Sequence, residues 1–322
     1  MKRIKLALVL VALLMAAQMQ AQCTFRNTAF KSGEFLTYNL YYNWKFVWVK
    51  AGTASMSVVQ SVYGGKPAYR GSLITRGNSK VDHFFVLRDT LMCYSSLDMA
   101  PLYYRKGARE GSRYTVDEVF YSYPDGSKCH VKQHCLTHDG NHLWDNRTLD
   151  ECVFDMMNIF LRARSFNPEG WKSGNEIPFT VAEGDGFIPA TLRYNGKTVV
   201  KGDDGVKYRC LELAYIERKP NRKPKEIARF FVTDDSNHVP VRIDMNLKFG
   251  SAKAFVVGMK GLQVPFLRPR NKECWARNRE QLGYKKTYKQ EDNKGLSEQT
   301  EPQKSNTTNK KPPIQWRKTI RD

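Results

Sequence analysis

The sequence has only one long hydrophobic run, and that run lies at the N-terminus. A helical membrane protein with several spans is therefore excluded, because each span needs about 20 apolar residues. The 22 glycines and 14 prolines are too few and too irregularly placed for collagen. Four motifs of common enzyme classes are also missing, namely G-x-S-x-G, G-x-x-x-x-G-K, G-x-G-x-x-G and H-E-x-x-H. These absences favour a protein that is not an enzyme and that holds no cofactor.

The composition indicates a folded and strongly basic protein. Hydrophobic residues make up 41% of the chain and charged residues 26%, which excludes a wholly disordered protein. The chain is long enough to bury a sizeable core. It has 52 Lys and Arg residues against 32 Asp and Glu residues, a net charge of +20. That balance favours contact with anionic surfaces.

The N-terminus has the pattern of a secretory signal peptide. Residues 1–5 are basic, residues 6–17 are apolar, and the small residue Ala21 follows. The apolar run is too short to span a bilayer as a helix. We predict a signal peptide over residues 1–21 and an exported protein of the periplasm or cell envelope, for which nucleic acid is not an expected partner. Two alternatives remain open, a lipid-modified Cys23 and an uncleaved membrane anchor.

The seven cysteines are too widely spaced for a small disulfide scaffold. An odd number leaves at least one thiol free or paired outside the chain. We expect most of them to be small buried hydrophobic residues, and the spacing predicts no particular pairing. They are Cys23, Cys93, Cys129, Cys135, Cys152, Cys210 and Cys274.

Alternating apolar and polar residues predict antiparallel strands with one face in the core. Residues 241–249 alternate without error, and an Asn-Gly pair at 195–196 between two such runs predicts a β-hairpin. Further turns are predicted at 64–67 and 124–126. About a dozen strands without a βαβ rhythm predict an all-β, mostly antiparallel fold, either a two-sheet sandwich or a curved open barrel. Two more apolar faces consist of Leu36, Tyr38, Leu40, Tyr42 and Trp44, and of Ala54, Met56 and Val58.

One short helix is expected within this β zone, near residues 150–164. Asp150 is the expected N-cap, and Arg162 and Arg164 suit the negative end of the helix dipole. We expect the helix to pack on a sheet through an apolar stripe with spacings of three and four. The stripe consists of Val153, Met156, Met157, Phe160 and Leu161.

The helix separates two halves that resemble each other weakly, at about 25–148 and 170–268. Each half opens with Lys-Ser-Gly before a strand, and each contains a strand led by proline, at Pro101 and Pro240. An ancient duplication and a chance similarity between β-meanders both explain this.

A basic, disordered tail over residues 269–322 is predicted to follow a β domain over residues 22–268. From Phe266 onward the chain has 15 Lys and Arg residues against 7 Asp and Glu residues, and few apolar residues. Two interpretations stay open, a solvated mobile tail and a segment that binds an anionic envelope surface.

Four of the six histidines lie within residues 129–142, together with two cysteines. Imidazole and thiolate are preferred zinc ligands, so His130, His134 and His138 are the candidate metal ligands. Alternation places these three histidines on one strand face and the cysteines on the other. Histidines four residues apart on a flat strand lie about 13 Å apart, too far to bind one metal ion. We therefore predict that this histidine window holds no catalytic metal. The adjacent acids Asp234 and Asp235 are expected to act in a turn rather than in catalysis.

The start of the β zone resembles the exported bacterial family DUF3108. That family opens with G-E-x-L-x-Y, a tryptophan and A-G-x-A, and here residues 33–38, Trp44 and residues 51–54 match this pattern. The resemblance spans about 25–265 and implies a secreted, mostly antiparallel β domain with no known activity. Three further stretches fit less specifically: residues 82–89, the helix with Asp155 and Arg162, and Thr233-Asp234-Asp235 with Pro240-Val241.

The residues of the opening motif have structural roles that follow from their chemistry. Gly33 can begin a strand directly after a turn, and Gly52 can let a neighbouring strand approach closely. Tyr38, Tyr42 and Trp44 either fill the core or line a groove, which makes them the candidate ligand-binding residues.

Three functions are compatible with the sequence. The first is an exported, noncatalytic protein that binds an apolar or amphipathic, lipid-like ligand, favoured by the one-sided apolar strands and the many aromatic residues. The second is a structural or assembly protein of the cell envelope that acts through surface contacts. The third is a metal-assisted enzyme that uses the histidine window. The expected partners are a lipid or an anionic envelope surface.

Overall fold

The computed structural model describes residues 23–44, 47–79, 86–124, 126, 128–184, 186–247 and 250–266. The predicted signal peptide, residues 1–21, and the predicted tail, residues 269–322, lie outside these residues. No helix in the described ranges is long and apolar enough to cross a membrane.

The strands form one 15-stranded sheet. Consecutive strands pair from β1 to β8 and from β9 to β15, and β15 returns to pair with β1 in the middle of the sheet. All ladders are antiparallel except the short one between β9 and β10. The strands are β1 (Glu34–Trp44), β2 (Val47–Tyr63), β3 (Lys66–Gly77), β4 (Leu87–Ser96), β5 (Pro101–Glu110), β6 (Arg113–Ser122), β7 (Cys129–Leu136), β8 (His142–Leu149), β9 (Val153–Phe154), β10 (Glu176–Glu183), β11 (Gly186–Lys201), β12 (Lys207–Glu217), β13 (Lys225–Thr233), β14 (Pro240–Asn246) and β15 (Ser251–Lys260).

The sheet curves into a nearly closed, barrel-like shape that holds one short helix, α1 (Met156–Ala163). This confirms the predicted all-β, mostly antiparallel fold. Of the two predicted alternatives, a two-sheet sandwich and a curved open barrel, the structure has the single curved sheet of the second. Among the described residues no ladder joins β8 to β9, and side chains bridge this seam instead. Gln133 Nε2 on β7 donates to the carbonyls of Gly184 and Gly186, each at 3.1 Å, and Arg147 lies over the Phe187 ring.

The barrel has two different ends. We call the end at which β1 begins, beside the C-terminus of α1, the helix end, and the opposite end the far end. Because the strands alternate in direction, the β2–β3, β4–β5 and β13–β14 turns lie at the helix end. The β1–β2, β12–β13 and β14–β15 turns lie at the far end.

The helix begins later than predicted, because its N-cap is Asp155 and not Asp150. The Asp155 carboxylate accepts the backbone N–H groups of Met157 and Asn158, at 2.9 and 2.8 Å, which only the residue just before the first turn can do. Val153 belongs to β9 rather than to the helix stripe, since it pairs with β10. The helix is therefore 8 residues long.

The helix fills the interior through the predicted apolar stripe. Met157 and Leu161 are buried in the main core cluster, whereas Met156 is exposed. Leu161 packs on β3 at Gly71, where a Cβ atom would lie 2.9 Å from Leu161 Cδ1 and 2.9 Å from Cys93 Sγ. A side chain at position 71 would thus displace the helix from the sheet.

The Asn-Gly pair at 195–196 does not form the predicted hairpin. Residues 186–201 are one long strand, β11, and its register with β12 shifts between Tyr194 and Gly196. Gly196 has a φ of +120°, so the glycine serves a β-bulge instead of a turn. The turn predicted at 64–67 joins β2 to β3, and the turn predicted at 124–126 falls between β6 and β7, with residue 125 outside the described residues.

The predicted apolar faces are confirmed in part, since Leu40 and Tyr42 are half-buried and the side chain of Trp44 lies outside the described residues. Leu36 and Tyr38 on β1, with Ala54, Met56 and Val58 on β2, are buried in the main core cluster. The alternation predicted over 241–249 forms β14 only as far as Asn246. The close approach predicted at Gly52 is also confirmed, because a Cβ atom there would lie 2.1 Å from the Arg76 carbonyl oxygen.

The two halves share backbone details beyond their sequence similarity. The glycines directly before β1 and two residues before β10 have φ values of +93° and +96°. In the β4–β5 turn, the Ser96 N–H donates to the Ala100 carbonyl at 2.9 Å, and the Ala100 N–H donates to the Ser96 hydroxyl at 3.0 Å. Thr233 and Val239 make the same two bonds in the β13–β14 turn, both at 2.9 Å. The duplication stays a prediction, but these turns are built alike.

One disulfide closes the described part of the chain. Cys23 and Cys152 are bonded across 129 residues, which ties the N-terminal segment to the loop before β9. As expected for most of the cysteines, Cys93, Cys129 and Cys210 are buried and free, while Cys135 is half-buried. Cys274 lies outside the described residues.

Candidate functional site

The opening motif secures the helix end of the barrel. Glu34 and Arg164, just after α1, form a two-point ion pair with N···O distances of 2.5 and 2.9 Å. Their side chains are only 1% and 2% exposed. Arg164 also donates to the Asn237 carbonyl at 2.9 Å, and its own carbonyl lies 2.5 Å from His238 Nδ1. The motif glutamate therefore ties the helix to β1 and to the β13–β14 turn.

The three candidate ligand-binding residues of β1 lie in different surroundings. Tyr38 is 4% exposed and belongs to the core, where burial raises the pKa of its hydroxyl. Its hydroxyl has no hydrogen-bond partner among the described residues. Tyr42 is half-buried near the far end, and the side chain of Trp44 lies outside the described residues. Tyr38 thus fills the core, and Tyr42 is the candidate that lines accessible space.

One side of the interior at the far end is apolar and only half-buried. The apolar residues on this side point inward. Each of them either continues the strand face that carries Leu36 and Tyr38 or is connected to that face through cross-strand pairs. Inward residues nearer the helix are fully buried, so the interior becomes accessible toward the far end. We call this set the apolar wall; it consists of Leu40, Tyr42, Leu73, Ile243 and Met245.

The other side of the far end carries charges on the inner face. The charged residues on β4, β5 and β6 lie on the same strand faces as the core residues Cys93, Tyr104 and Tyr121, which point inward. On β5 and β6, the inward residues Lys106 and Asp117 are direct cross-strand partners. We call this set the charged wall; it consists of Asp89, Lys106, Asp117, Glu183 and Glu217.

Two carboxylates of the charged wall have raised pKa values, and other charges of the wall contribute to both shifts. Burial raises the pKa of Asp89 to about 6, and the nearby carboxylate of Glu110 adds to the rise. Glu183 reaches solvent, yet partial desolvation and then the charge of Glu217 raise its pKa. The positive charge of Lys106 on β5 acts against that rise. Titratable groups perturbed in this way are typical of binding or catalytic sites.

The sequence analysis missed the charged wall. Its residues come from five separate strands, and none belongs to a recognisable motif. A detectable pattern was present in β5, where Lys106 lies between the inward residues Tyr104 and Ala108. A charge at an inward position marks a place where the interior is not a closed apolar core.

Two open surface depressions lie away from these walls. One, of about 540 Å³, lies at the helix end beside the N-terminal segment and includes Phe25, Tyr69 and Asp98. The other, of about 430 Å³, lies on β11 and β12 and includes Lys197 and Arg209. Neither depression includes a candidate predicted from the sequence.

The acids Asp234 and Asp235 act in a turn, as predicted. Asp234 accepts hydrogen bonds from Lys197 and Arg209, at 3.2 and 2.7 Å. Asp235 accepts from the Thr233 hydroxyl at 2.7 Å and holds the β13–β14 turn.

The histidine window lies on the outer face of β7 and β8. His134 Nδ1 is 2.8 Å from Glu118 Oε2, and its Nε2 is 2.8 Å from His142 Nδ1. The ring of Trp144 stacks on His134 with centroids 4.2 Å apart. Both ring nitrogens of His134 are thus engaged by protein groups and covered by an indole.

The other two metal candidates do not join His134. His130 lies 3.4 Å from the Thr148 hydroxyl, and His138 pairs with Asp139 at 3.0 Å in the β7–β8 turn. Within the described ranges, no three His, Cys, Asp or Glu side chains are placed to hold a metal ion. That the window holds no catalytic metal stays a prediction.

Comparisons with known proteins identify a family but no activity. A family model described as "Protein of unknown function (DUF3108)" matches residues 37–257, and the chain belongs to that family. No curated protein matches the sequence. A solved structure, a β-barrel-like protein of the DUF1849 domain of unknown function from Brucella abortus, is 12% identical with a TM-score of 0.46. That match covers 72% of this chain and 98% of the Brucella chain.

Proposed function

We propose that this member of the DUF3108 family is an exported, noncatalytic protein of the cell envelope. In this proposal it binds an amphipathic, lipid-like ligand at the far end of its barrel. The observation that carries the proposal is the lining of that end, where apolar residues and charged residues both occupy inward positions. A lipid has the same division, since an acyl chain needs apolar contact and a headgroup needs polar partners.

The charges of the lining narrow the class of headgroup. The charged wall has four carboxylates and one lysine, although the whole chain has a net charge of +20. Carboxylates accept hydrogen bonds and attract cations. The lining therefore suits a headgroup that offers amine or hydroxyl groups.

The far end also carries features of a surface that meets lipid. Val47, Trp48 and Val49 are exposed beside the β1–β2 turn, and Lys253 Nζ lies 4.3 Å from the centre of the Trp48 ring. The β12–β13 turn and its flanks, residues 218–225, read Arg-Lys-Pro-Asn-Arg-Lys-Pro-Lys. Apolar side chains next to cations favour contact with an anionic bilayer.

The disulfide supports export. Structural disulfides form in oxidising compartments such as the periplasm and are rare in the cytosol of most organisms. With its sulfur bonded to Cys152, Cys23 cannot also carry a thioether-linked lipid. The disulfide therefore favours the predicted signal peptide over the lipoprotein alternative.

Bound lipid is expected in protein isolated from an exporting host. Native mass spectrometry should detect lipid adducts, and organic extracts should identify them. Leu73→Gln should lower the bound fraction several-fold, because it places an amide in the apolar wall. Ile74→Gln is the matched control, since Ile74 is the next residue on β3 and points outward. Absence of lipid from the unchanged protein, or an equal loss in both variants, would refute the proposed ligand.

Binding to anionic vesicles is the second expected result. The protein should sediment with phosphatidylglycerol vesicles and remain in solution with phosphatidylcholine vesicles, and added salt should weaken sedimentation. Val47→Ser should reduce binding several-fold, because Val47 is 61% exposed at the far end. Val62→Ser changes a valine of the same strand that is 63% exposed at the helix end, so it should have no effect. Equal effects of the two changes would argue against far-end docking.

A second candidate function is assembly of the envelope through surface contacts. The unpaired edge of β8 favours it, because a free strand edge offers backbone groups to another chain.

A further inference from the structure

Strand β8 (His142–Leu149) is the longer of the two edge strands. Among the described residues it has a strand neighbour on one side only, β7. The other edge strand, β9, has 2 residues, both buried, and pairs in parallel with β10. Strand β9 is therefore too short to cover the free edge of β8. Six of the eight residues of β8 are exposed, including Trp144.

The sequence of β8 is complementary to itself in an antiparallel arrangement. If two copies of β8 face each other with Asn146 opposite Asn146, then Asp145 of each copy faces Arg147 of the other. In the same register Leu143 faces Leu149. Opposite charges and apolar pairs directly across an antiparallel ladder each stabilise it, by about 0.2–1 kcal/mol.

The strand faces agree with this register. Asp145 and Arg147 lie on the same face of β8, since their side chains form an ion pair at 2.7 Å within one chain. Alternation places Leu143 and Leu149 on that face as well. A two-fold axis through Asn146 would bring all four residues of one copy against their partners in the other copy. It would join the two internal ion pairs, one from each copy, into one cluster of four charges across the interface.

We propose that the protein forms a two-fold symmetric dimer in which the β8 strands of two copies pair antiparallel about Asn146. A symmetric edge-to-edge contact uses the same surface on both copies and closes, so it does not propagate into fibres. It also covers the backbone N–H and C=O groups that an eight-residue edge leaves to solvent. The proposal is independent of the lipid-like ligand, because β8 contributes no residue to the apolar or charged wall.

Charge reversal tests the register in solution. The unchanged protein should have twice the monomer mass in sedimentation or light scattering at micromolar concentration. Asp145→Arg places two arginine pairs across the axis, and Arg147→Asp places two aspartate pairs, so each variant should be monomeric. An equimolar mixture of the two variants should regain the dimer mass, because each Arg then faces an Asp. A purely internal role of the ion pair cannot produce that recovery.

Asp244→Arg is the matched control. It disrupts the Arg242–Asp244 ion pair on β14, which has the same two-residue spacing but lies within the sheet, and it should leave the dimer intact. Asn146→Cys gives a separate measurement, since a cysteine on the axis should oxidise to a covalent dimer, whereas Val62→Cys should not. A monomeric unchanged protein, or variants that stay monomeric when mixed, would overturn the proposal.

Discussion

Glu34→Gln is expected to lower the free energy of unfolding by about 3–5 kcal/mol. The change removes the partner of a guanidinium that is 2% exposed, so an unpaired charge remains buried at Arg164. For a domain of this size about 2–4 °C of melting temperature corresponds to each kcal/mol, so the midpoint should fall by about 10 °C. Thermal and urea unfolding of the two proteins measure the difference.

Glu176→Gln is the matched control for that result. Glu176 begins β10 as Glu34 begins β1, and it also binds an arginine, because Arg218 Nη2 donates to both of its carboxylate oxygens at 2.7 Å. Here the side chains are 32% and 38% exposed, so the loss should stay within about 1 kcal/mol. The double variant Glu34→Gln/Arg164→Met should recover part of the stability, because no buried charge remains. Similar losses at Glu34 and Glu176 would show that burial does not set the strength of the pair.

The second large effect is expected from the disulfide. Replacing Cys23 and Cys152 together by serine should lower the free energy of unfolding by about 2–5 kcal/mol. The bond closes a loop of 129 residues, and a long loop restricts the unfolded chain more than a short one does. Denaturant titration at neutral pH measures the loss.

Reduction supplies the control for this experiment. Dithiothreitol should destabilise the unchanged protein by about as much as the double substitution does. The Cys23→Ser/Cys152→Ser variant should not respond to it, since Cys23–Cys152 is the one disulfide among the described residues. A response of the double variant to reductant would place the effect at a different cysteine pair.

The alternation of apolar residues predicted much of the fold, because burial of one strand face follows directly from a two-residue period. Leu36, Met56 and Val58 lie where that period places them. The Asn-Gly pair at 195–196 misled the prediction, because positive φ suits a bulge as well as a turn, and only the pairing of β11 with β12 decides between them. The start of the helix was misplaced by five residues for a similar reason, since both Asp150 and Asp155 can cap a helix.

The candidate site was much less predictable than the fold. The charged wall brings Asp89 and Lys106 together with Glu217, which is more than a hundred residues away in sequence. Such groups meet only once the sheet has curved, and no local pattern encodes that curvature. The buried pair of Glu34 with Arg164 is similar, because the opening motif marks the glutamate but nothing marks its partner 130 residues later.

The position of the first strand has a consequence for the order of folding. Every other ladder among the described residues joins strands that are consecutive in the chain, whereas the ladder of β1 and β15 places Phe35 opposite Lys260. Closing so long a loop has a large entropic cost, so contacts between distant segments form late. The two meanders, β1–β8 and β10–β15, can therefore assemble separately. The sheet is completed only when β15 pairs with β1, and until then each of these two strands has an unpaired edge.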